Sequence, residues 1–327
     1  MTKIQVAVAM GGYSSEAEIS LNSGEVVCRS LDPAQYDIYK VIISKEGWYV
    51  LNANAARNPV DKSDFSFSVG AKKIIPDVIF NTIHGTPGED GYMAAYWALL
   101  GIPQTSSDFY PAALSFNKRD SLSVLKHFGI KCANSYYVNK GVDYEEATII
   151  KQCGLPCFVK PNRSGSSFGI SKVKEQSELE PAIQKAFEED NEIIIETALV
   201  GTEVSVGVYK HKGEIKSLPL TEIVSENDFF DYEAKYLGKS EEITPARISE
   251  ELTAKVQSEA RKIYNLLNLK GITRAEFIIQ NDEPYFIEVN ITPGLSAESI
   301  VPKMAREAGF TLREFFGMLI EEALSKK

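Results

Sequence analysis

Two apolar segments, each followed by glycines and then by a predicted helix, constrain the fold of this chain most strongly. KIQVAVAM leads into Gly11-Gly12, and PDVIFNTI leads into the loop HGTPGEDG. Continuous apolar runs of this length, ended by glycine turns, are typical of strands that are buried on both faces of a parallel sheet. The sequence therefore predicts an α/β fold, and such sheets bind ligands at the carboxyl ends of their strands.

The size and charge of the chain narrow the possible function classes. Its 327 residues suit about two or three domains. The net charge is −10, from 35 basic and 45 acidic residues without a basic block, so nucleic acid is not an expected partner. The N-terminal apolar run is too short for a signal peptide, and no run of ~18 apolar residues occurs elsewhere. We therefore expect a cytoplasmic protein without membrane insertion.

The loop GGYSSE follows the first strand, where dinucleotide-binding folds carry their glycine fingerprint. The third glycine of that fingerprint is missing, and an acid in the first helical turn would repel a pyrophosphate, which disfavours an oxidoreductase. Ser15 and Glu18 have the spacing of a capping box. Glu16 offers a carboxylate to an ammonium group, or it only stabilises the helix dipole. His84 ends the second strand, where it either contacts a ligand or caps the strand.

A second glycine-rich loop lies in the stretch LPCFVKPNRSGSSFGISKV. A strand ends on Lys160, the polar segment carries Ser166 and Ser167, and a strand resumes at Ile170. Backbone N–H groups and hydroxyls of such a loop can fold over phosphates while a lysine neutralises charge. No Walker motif is present, because neither GKS nor GKT follows and no helix begins there. The alternative is a flexible hairpin loop that binds nothing.

A predicted hairpin, TRAEFIIQ followed by PYFIEVN, brings acids together near the C-terminus. Glu288 and Asn290 are two residues apart and share one face of their strand, and Glu276 can face them from the other strand. Two carboxylates and an amide oxygen form the kind of oxygen set that Mg²⁺ prefers. The pattern therefore predicts a magnesium-phosphate site, with solvent-facing strand acids as the alternative.

The remaining segments are less regular. The polar region 52–68 is predicted to be loop or weak helix. The segment ENDFFDYEAKYLGKSEE, which holds Lys235 and Tyr236, interrupts a β-rich pattern and is predicted to be a lid or a surface excursion. Helices are expected at about 250–267, 302–309 and 312–326.

Five motifs, in this order, resemble those of the D-alanine–D-alanine ligases of the ATP-grasp superfamily: GGYSSEAEISLNSG, HGTPGEDG, FVKPNRSGSSFGISKV, DYEAKY and EVNITPGLSAES. The resemblance covers nearly the whole chain. It implies a mixed α/β, three-domain ATP-grasp fold, with a Rossmann-like preATP-grasp domain at 1–105, a central subdomain at 106–195 and a C-terminal subdomain at 196–327. It also implies that ATP phosphorylates one D-alanine and that the amine of a second displaces the phosphate, giving the dipeptide of peptidoglycan.

The same resemblance assigns the ATP site. Lys118 and Lys160 would hold the phosphates, with the loop around Ser166 and Ser167 closing over them. Glu196, Ala198 and Leu199 would contact the adenine, and Glu203 the ribose. Two Mg²⁺ ions, or Mn²⁺ in their place, would be bound by Glu276, Glu288 and Asn290.

The resemblance also assigns the substrate sites. Glu16 would bind the ammonium of the first D-alanine with His84 beside it, and Tyr236 would link through Ser166 to Glu16. Arg274 and the backbone N–H of Gly294 would stabilise the acyl phosphate and the oxyanion. The carboxylate of the second D-alanine would be held by Lys235, Ser299 and Ile300.

Two positions depart from the family pattern. A carboxylate one methylene shorter, aspartate, usually stands at the position of Glu276, and a bulky aromatic is common where this chain has Ala198. Tyr236 favours D-alanine as the second substrate, because the related depsipeptide ligases have a histidine there. The alternatives are a D-alanine–D-lactate ligase, another ATP-grasp carboxylate–amine ligase, or a non-catalytic nucleotide-binding module. The family commonly forms dimers through the N-terminal domain, so a homodimer is expected.

Overall fold

The computed structural model describes residues 2–51, 56–163, 169–225 and 240–325. These residues form three sheets with helices packed against them, so the predicted mixed α/β class is confirmed. The elements of the N-terminal part, in chain order, are β1 (Ile4–Gly11), α1 (Ala17–Ser30), β2 (Tyr36–Ser44), β3 (Gly47–Leu51), β4 (Arg57–Asp61), β5 (Ser66–Val69), β6 (Lys72–Ile74), β7 (Val78–Asn81) and α2 (Tyr92–Leu99).

The middle and C-terminal parts continue this numbering. The middle elements are α3 (Phe109–Phe116), α4 (Lys118–His127), β8 (Ser135–Asn139), α5 (Glu146–Cys153), β9 (Cys157–Pro161), β10 (Ser171–Val173), α6 (Leu179–Glu189) and β11 (Glu192–Thr197). The C-terminal elements are β12 (Thr202–His211), β13 (Glu214–Ser225), β14 (Ser240–Ile243), α7 (Glu250–Leu266), β15 (Ile272–Gln280), β16 (Glu283–Asn290), α8 (Ile300–Glu307) and α9 (Leu312–Leu324).

The first sheet has the described strand order β6-β5-β4-β3-β2-β1-β7. Among its described strands, β1, β2 and β7 pair in parallel, and β3 to β6 extend the sheet as antiparallel strands. The prediction of loop or weak helix at 52–68 is wrong, because β4 and β5 lie there. Val60, Phe65 and Phe67 are buried beneath them, so a few apolar side chains hold an otherwise polar stretch on the sheet.

The core of the first sheet is completed by the end of the chain. Phe315 and Phe316 of α9 are fully buried in one apolar cluster with Val6 and Phe80. The rings of Phe80 and Phe316 meet edge to face with centroids 5.6 Å apart. Because α9 also packs on β12, it ties the first sheet to the third.

The second sheet is antiparallel, with the order β10-β9-β11-β8, and α5 and α6 cover one of its faces. Ile149 of α5 and Ile183 of α6 are buried against Ile195 of β11. β9 and β10 pair on either side of 164–168, so the predicted strands that flank the glycine-serine loop are both present.

The third sheet is also antiparallel, with the described order β14-β13-β12-β15-β16. Val256 and Ile263 of α7 pack into its core. Leu122 and Leu125 of α4 belong to the same core, although α4 precedes the second sheet in the chain. None of the helices in the described ranges combines the length and the apolar composition that crossing a bilayer requires.

Candidate active site

The hairpin of β15 and β16 brings together the acids that the sequence singled out. Glu276 lies directly opposite Glu288, and Arg274 lies opposite Asn290. The register shifts immediately after Glu276, between it and Phe277, so a β-irregularity adjoins this acid. The predicted hairpin is confirmed, and it gathers four polar side chains on one face of the third sheet.

Two cations neutralise these acids within the chain. Arg274 Nη2 donates to Glu276 Oε1 at 2.5 Å, and Lys118 Nζ lies 3.4 Å from Glu288 Oε2. Asn290 Nδ2 also donates to Glu276 Oε1, at 3.3 Å. Without such cations, two carboxylates facing each other across a ladder would repel. Their donor set, two carboxylates and an amide, fits a hard divalent cation.

The two lysines of the candidate phosphate site lie on different sheets. Lys118 begins α4, which packs with the third sheet, whereas Lys160 is the penultimate residue of β9 in the second sheet. Lys160 Nζ donates to Glu196 Oε2 at 2.9 Å. Burial lowers the pKa of Lys160, but the charges of Glu196, Glu288 and Glu203 outweigh burial and leave the pKa above its ordinary value. Lys160 is therefore charged at neutral pH.

The predicted adenine segment connects β11 to β12. Glu196 is buried at the end of β11, while Ala198 and Leu199 are half-buried. The N–H of Ala198 already donates to Pro156 O at 3.1 Å, so this group is engaged by the chain itself. Glu203 follows on β12 with its side chain half-buried.

Glu16 and His84 meet at the carboxyl ends of β1 and β7, as their positions in the sequence predict. Ser14 Oγ accepts from Glu16 N at 3.3 Å and donates to His84 O at 3.0 Å. Burial lowers the pKa of His84, the Glu16 charge opposes this, and Arg274 adds to the lowering. His84 is therefore neutral at pH 7.

A serine of α1 connects this corner to the tail of the hairpin. Ser23 Oγ lies 3.4 Å from His84 Nε2 and accepts from Leu295 N at 3.1 Å. A Cβ on Gly294 would come within 2.9 Å of Ser299 Oγ, so the two residues are in close contact. Ser299 precedes α8, and Ile300 is buried in the apolar core. Only the backbone of Ile300 remains to contact a ligand.

The sequence reasoning missed Glu89, although it identified the loop that carries it. Glu89 Oε2 accepts from Gly85 N at 3.0 Å. Burial first, and then the Glu16 and Glu288 charges, raise the pKa of Glu89 to about 7, against a smaller lowering by Lys118. Glu89 thus lies close enough to Glu16 and to Glu288 for both charges to act on its carboxyl. The signal for Glu89 in the sequence was its position four residues after Gly85 in a glycine-rich loop.

Four predicted site residues lie outside the described ranges: Ser166, Ser167, Lys235 and Tyr236. Within the described ranges, no three His, Cys, Asp or Glu side chains gather at metal-binding distance. The candidate metal set contains two acids and an amide, so it is not a group of that kind.

Comparisons with known proteins agree along the whole chain. Family models described as D-ala D-ala ligase N-terminus and D-ala D-ala ligase C-terminus match residues 5–107 and 124–321. A relative from Flavobacterium johnsoniae named D-alanine--D-alanine ligase is 59% identical over 320 residues, covering 98% of this chain and 99% of that protein.

Solved structures give the same result for the fold. The VanG D-Ala:D-Ser ligase of Enterococcus faecalis superposes with a TM-score of 0.86 at 30% identity, covering 98% of this chain and 100% of the other. D-alanyl-alanine synthetase A of Vibrio cholerae superposes with a TM-score of 0.89 at 27% identity, and both chains are fully covered.

Proposed function

Because the chain belongs to the D-alanine–D-alanine ligase family, it is an ATP-dependent ligase that forms D-alanyl-D-alanine for peptidoglycan, and we propose how its residues divide this work. The observation that carries the proposal is the pairing of Lys118 with Glu288 and of Arg274 with Glu276. When ATP and its cations bind, phosphates can replace the acids as partners of Lys118 and Arg274, and cations can replace these bases as partners of the acids. Each side chain then keeps a partner of opposite charge.

In this proposal, Lys118 and Lys160 hold the phosphates of ATP. The loop around Ser166 and Ser167 closes over the phosphates. The raised pKa of Lys160 supports this role, because a lysine that stays protonated while buried can neutralise phosphate oxygens. The adenine lies against Glu196, Ala198 and Leu199, and the ribose against Glu203.

The proposed metal ligands are Glu276, Glu288 and Asn290. Two Mg²⁺ ions, or Mn²⁺, would neutralise the triphosphate and the phosphoryl group in transit. Binding of cations to the acids would release Arg274 and Lys118 toward phosphate oxygens. The fit rests on the oxygen donors that face each other across the hairpin.

The substrate roles follow the positions around β1, β7 and the hairpin tail. Glu16 binds the ammonium of the first D-alanine, and neutral His84 lies beside it. A carboxylate oxygen of this D-alanine attacks the γ-phosphorus, and ADP leaves. Arg274 and the N–H of Gly294 hold the acyl phosphate and the oxyanion that follows.

The second D-alanine then completes the reaction. Its carboxylate is held by Ser299, the backbone of Ile300, and Lys235. Its ammonium group releases one proton to water, the amine attacks the acyl carbon, and inorganic phosphate leaves with the second proton. Tyr236, linked through Ser166 to Glu16, keeps the reacting atoms covered.

The proposed product is D-alanyl-D-alanine rather than a depsipeptide. Tyr236 supports this choice, because a histidine at the corresponding position favours a hydroxy acid. The structural neighbour VanG is described as a D-Ala:D-Ser ligase, so the second substrate varies within this fold. An assay with D-alanine, D-serine and D-lactate present together should yield mainly D-alanyl-D-alanine, and a dominant depsipeptide or D-alanyl-D-serine product would refute the assignment.

Assembly and location are also proposed. We infer a cytoplasmic homodimer, because its substrates are ATP and D-alanine and an apolar patch lies on α2 and α3. Tyr92 is 73% exposed, Leu99 88%, Phe109 55% and Tyr110 64%. α2 and α3 pack against each other, so these side chains share one region of the surface. We also propose that the chain divides into three domains, at 1–105, 106–195 and 196–327.

The decisive experiment follows phosphate release with MgATP and varied D-alanine. Glu288→Gln should lower kcat by about 10²-fold or more while the protein keeps its cooperative unfolding, because the variant loses a metal-binding charge. Release that depends on another amino acid would favour a different carboxylate–amine ligase. Nucleotide binding without turnover would favour a non-catalytic module. A variant that also loses cooperative unfolding would make Glu288 structural.

A further inference from the structure

Asn162 is a buried residue that nothing so far has placed in the reaction. It directly follows β9 and is 1% exposed. Its Nδ2 donates to Asn117 Oδ1 at 2.8 Å and to Glu192 Oε2 at 3.0 Å, and its Oδ1 accepts from Arg119 N at 2.8 Å. Its backbone N–H donates to Glu192 O at 2.9 Å, and its carbonyl accepts from Lys118 N at 3.3 Å. Both amide hydrogens and the amide oxygen are therefore used.

These bonds join the two sheets at one point. Asn117 caps α4, accepting also from Asp120 N at 3.1 Å, and Lys118 is the first residue of that helix. α4 is anchored in the core of the third sheet through Leu122 and Leu125. Glu192 is the first residue of β11 in the second sheet, and Asn162 directly follows β9 of the same sheet. Asn162 thus connects the start of α4 to the end of the strand that carries Lys160.

We propose that Asn162 is a positioning residue that fixes the spacing between Lys118 and Lys160, and thereby the placement of the ATP phosphates between the two sheets. This inference rests on the proposed function of the two lysines. Asn162 O accepts from Lys118 N, and Asn162 lies two residues after Lys160, so Asn162 holds the backbone from which each lysine projects.

Only an amide of this length meets the hydrogen-bond demands of the position. Aspartate has the same shape, but it cannot donate to Asn117 or Glu192, and its charge would face the Glu192 carboxylate. Alanine would leave the Arg119 N–H without its partner, and Asn117 Oδ1 would keep only its bond from Asp120 N. A buried polar group that loses its partner destabilises the structure, so the start of α4 should shift to find another partner.

The test compares Asn162→Asp with the parent enzyme in steady-state kinetics. We expect the KM for MgATP to rise at least tenfold, while the KM for D-alanine changes less than twofold. Binding of MgADP, measured by calorimetry without turnover, should weaken by the same factor. Asn191→Asp is a matched control, because it makes the same chemical change at an exposed position in the turn before β11.

A second variant separates positioning from loss of fold. Glu192→Gln gives the partner position an amide donor, so the double variant Asn162→Asp/Glu192→Gln can restore one hydrogen bond with donor and acceptor exchanged. We expect the KM for MgATP of the double variant to recover at least threefold relative to Asn162→Asp. If Asn162 only stabilised the fold, its variant would have a lower melting temperature and a smaller active fraction, which lowers kcat. The KM for MgATP would then not rise relative to the KM for D-alanine.

The outcomes also distinguish this inference from the function on which it rests. A parent enzyme without D-alanine-dependent phosphate release would refute the proposed function. An active parent whose Asn162→Asp variant keeps its KM for MgATP and its affinity for MgADP would refute the role of Asn162 alone.

Discussion

At the scale of single residues, the charges of two acids act on a third. Burial first, and then the charges of Glu16 and Glu288, raise the pKa of Glu89 to about 7. A carboxyl whose pKa is higher in the folded than in the unfolded chain favours folding at low pH. This contribution is complete below the unfolded value and is lost as the pH rises through about 7.

Glu89→Gln should therefore stabilise the ligand-free and metal-free protein at high pH. We expect the free energy of unfolding to rise by on the order of 2 kcal/mol at pH 8.5, with the gain vanishing near pH 4.5. The amide oxygen of the variant can still accept from Gly85 N. Denaturant unfolding across this pH range measures the effect, and Glu188→Gln on an exposed turn of α6 serves as control. A gain that does not depend on pH would contradict the explanation.

Glu276 shows how a longer side chain is accommodated where the family usually has aspartate. Its Oε1 reaches Arg274 Nη2 at 2.5 Å from a strand whose register shifts at the next residue. In Glu276→Asp the carboxylate would retreat by about 1.5 Å, one C–C bond length. This variant should lose the charge-assisted bond.

We expect Glu276→Asp to lower kcat/KM for D-alanine by about tenfold or more, since hydrogen bonds to charged groups contribute about 1.5–3 kcal/mol. Steady-state kinetics at saturating MgATP measures the change, with Glu276→Gln as a charge-free comparison. Activity within twofold of the parent would show that the longer stem is not needed to position Arg274.

At the scale of elements, sequence patterns predicted the hairpin of β15 and β16 because alternation and a turn are local signals. They failed at β4, where Arg57–Asp61 contains Pro59 and only Val60 points into the core. The predicted capping box of Ser15 and Glu18 is also wrong. α1 begins after Glu16 without a side-chain cap, and Ser14 instead bonds to the His84 loop. Tertiary contacts outweighed the local preference at both places.

The site residues also divide into those with local sequence signals and those placed by tertiary contacts. The locations of Lys160, Glu288 and His84 were predictable, since each lies in a strand or shortly after one. Asn162 was not predictable, because its partners belong to α4 and β11, and the charges that raise the pKa of Glu89 come from Glu16 and Glu288 elsewhere in the chain. No spacing within a single segment encodes such contacts.

α9 is an element whose start can be tested directly. Thr311 Oγ1 accepts from Glu314 N at 3.2 Å, and Glu314 Oε2 accepts from Thr311 N at 2.9 Å, which completes a capping box. Thr311→Ala should lower the free energy of unfolding by about 1 kcal/mol, and Thr311→Ser should restore most of it. Denaturant unfolding measures both variants, and equal losses in the two would exclude the hydroxyl as the cause.

At the scale of the whole molecule, the proposed dimer depends on the apolar patch of α2 and α3. Leu99→Arg should shift the sedimentation coefficient from dimer to monomer, because a charge would be buried in the interface. Val142→Arg changes an apolar, exposed residue of the loop between β8 and α5 and should leave the assembly unchanged. If both variants sediment like the parent, the dimer uses another surface or does not form.

The position of α9 has a consequence for biosynthesis. Val6 and Phe80 are translated early, but Phe315 and Phe316, which cover them, emerge only after the second and third sheets have been made. Contacts between such distant segments close slowly. The nascent first sheet therefore keeps this apolar face uncovered until α9 has left the ribosome, and only then can the N-terminal fold reach its full stability.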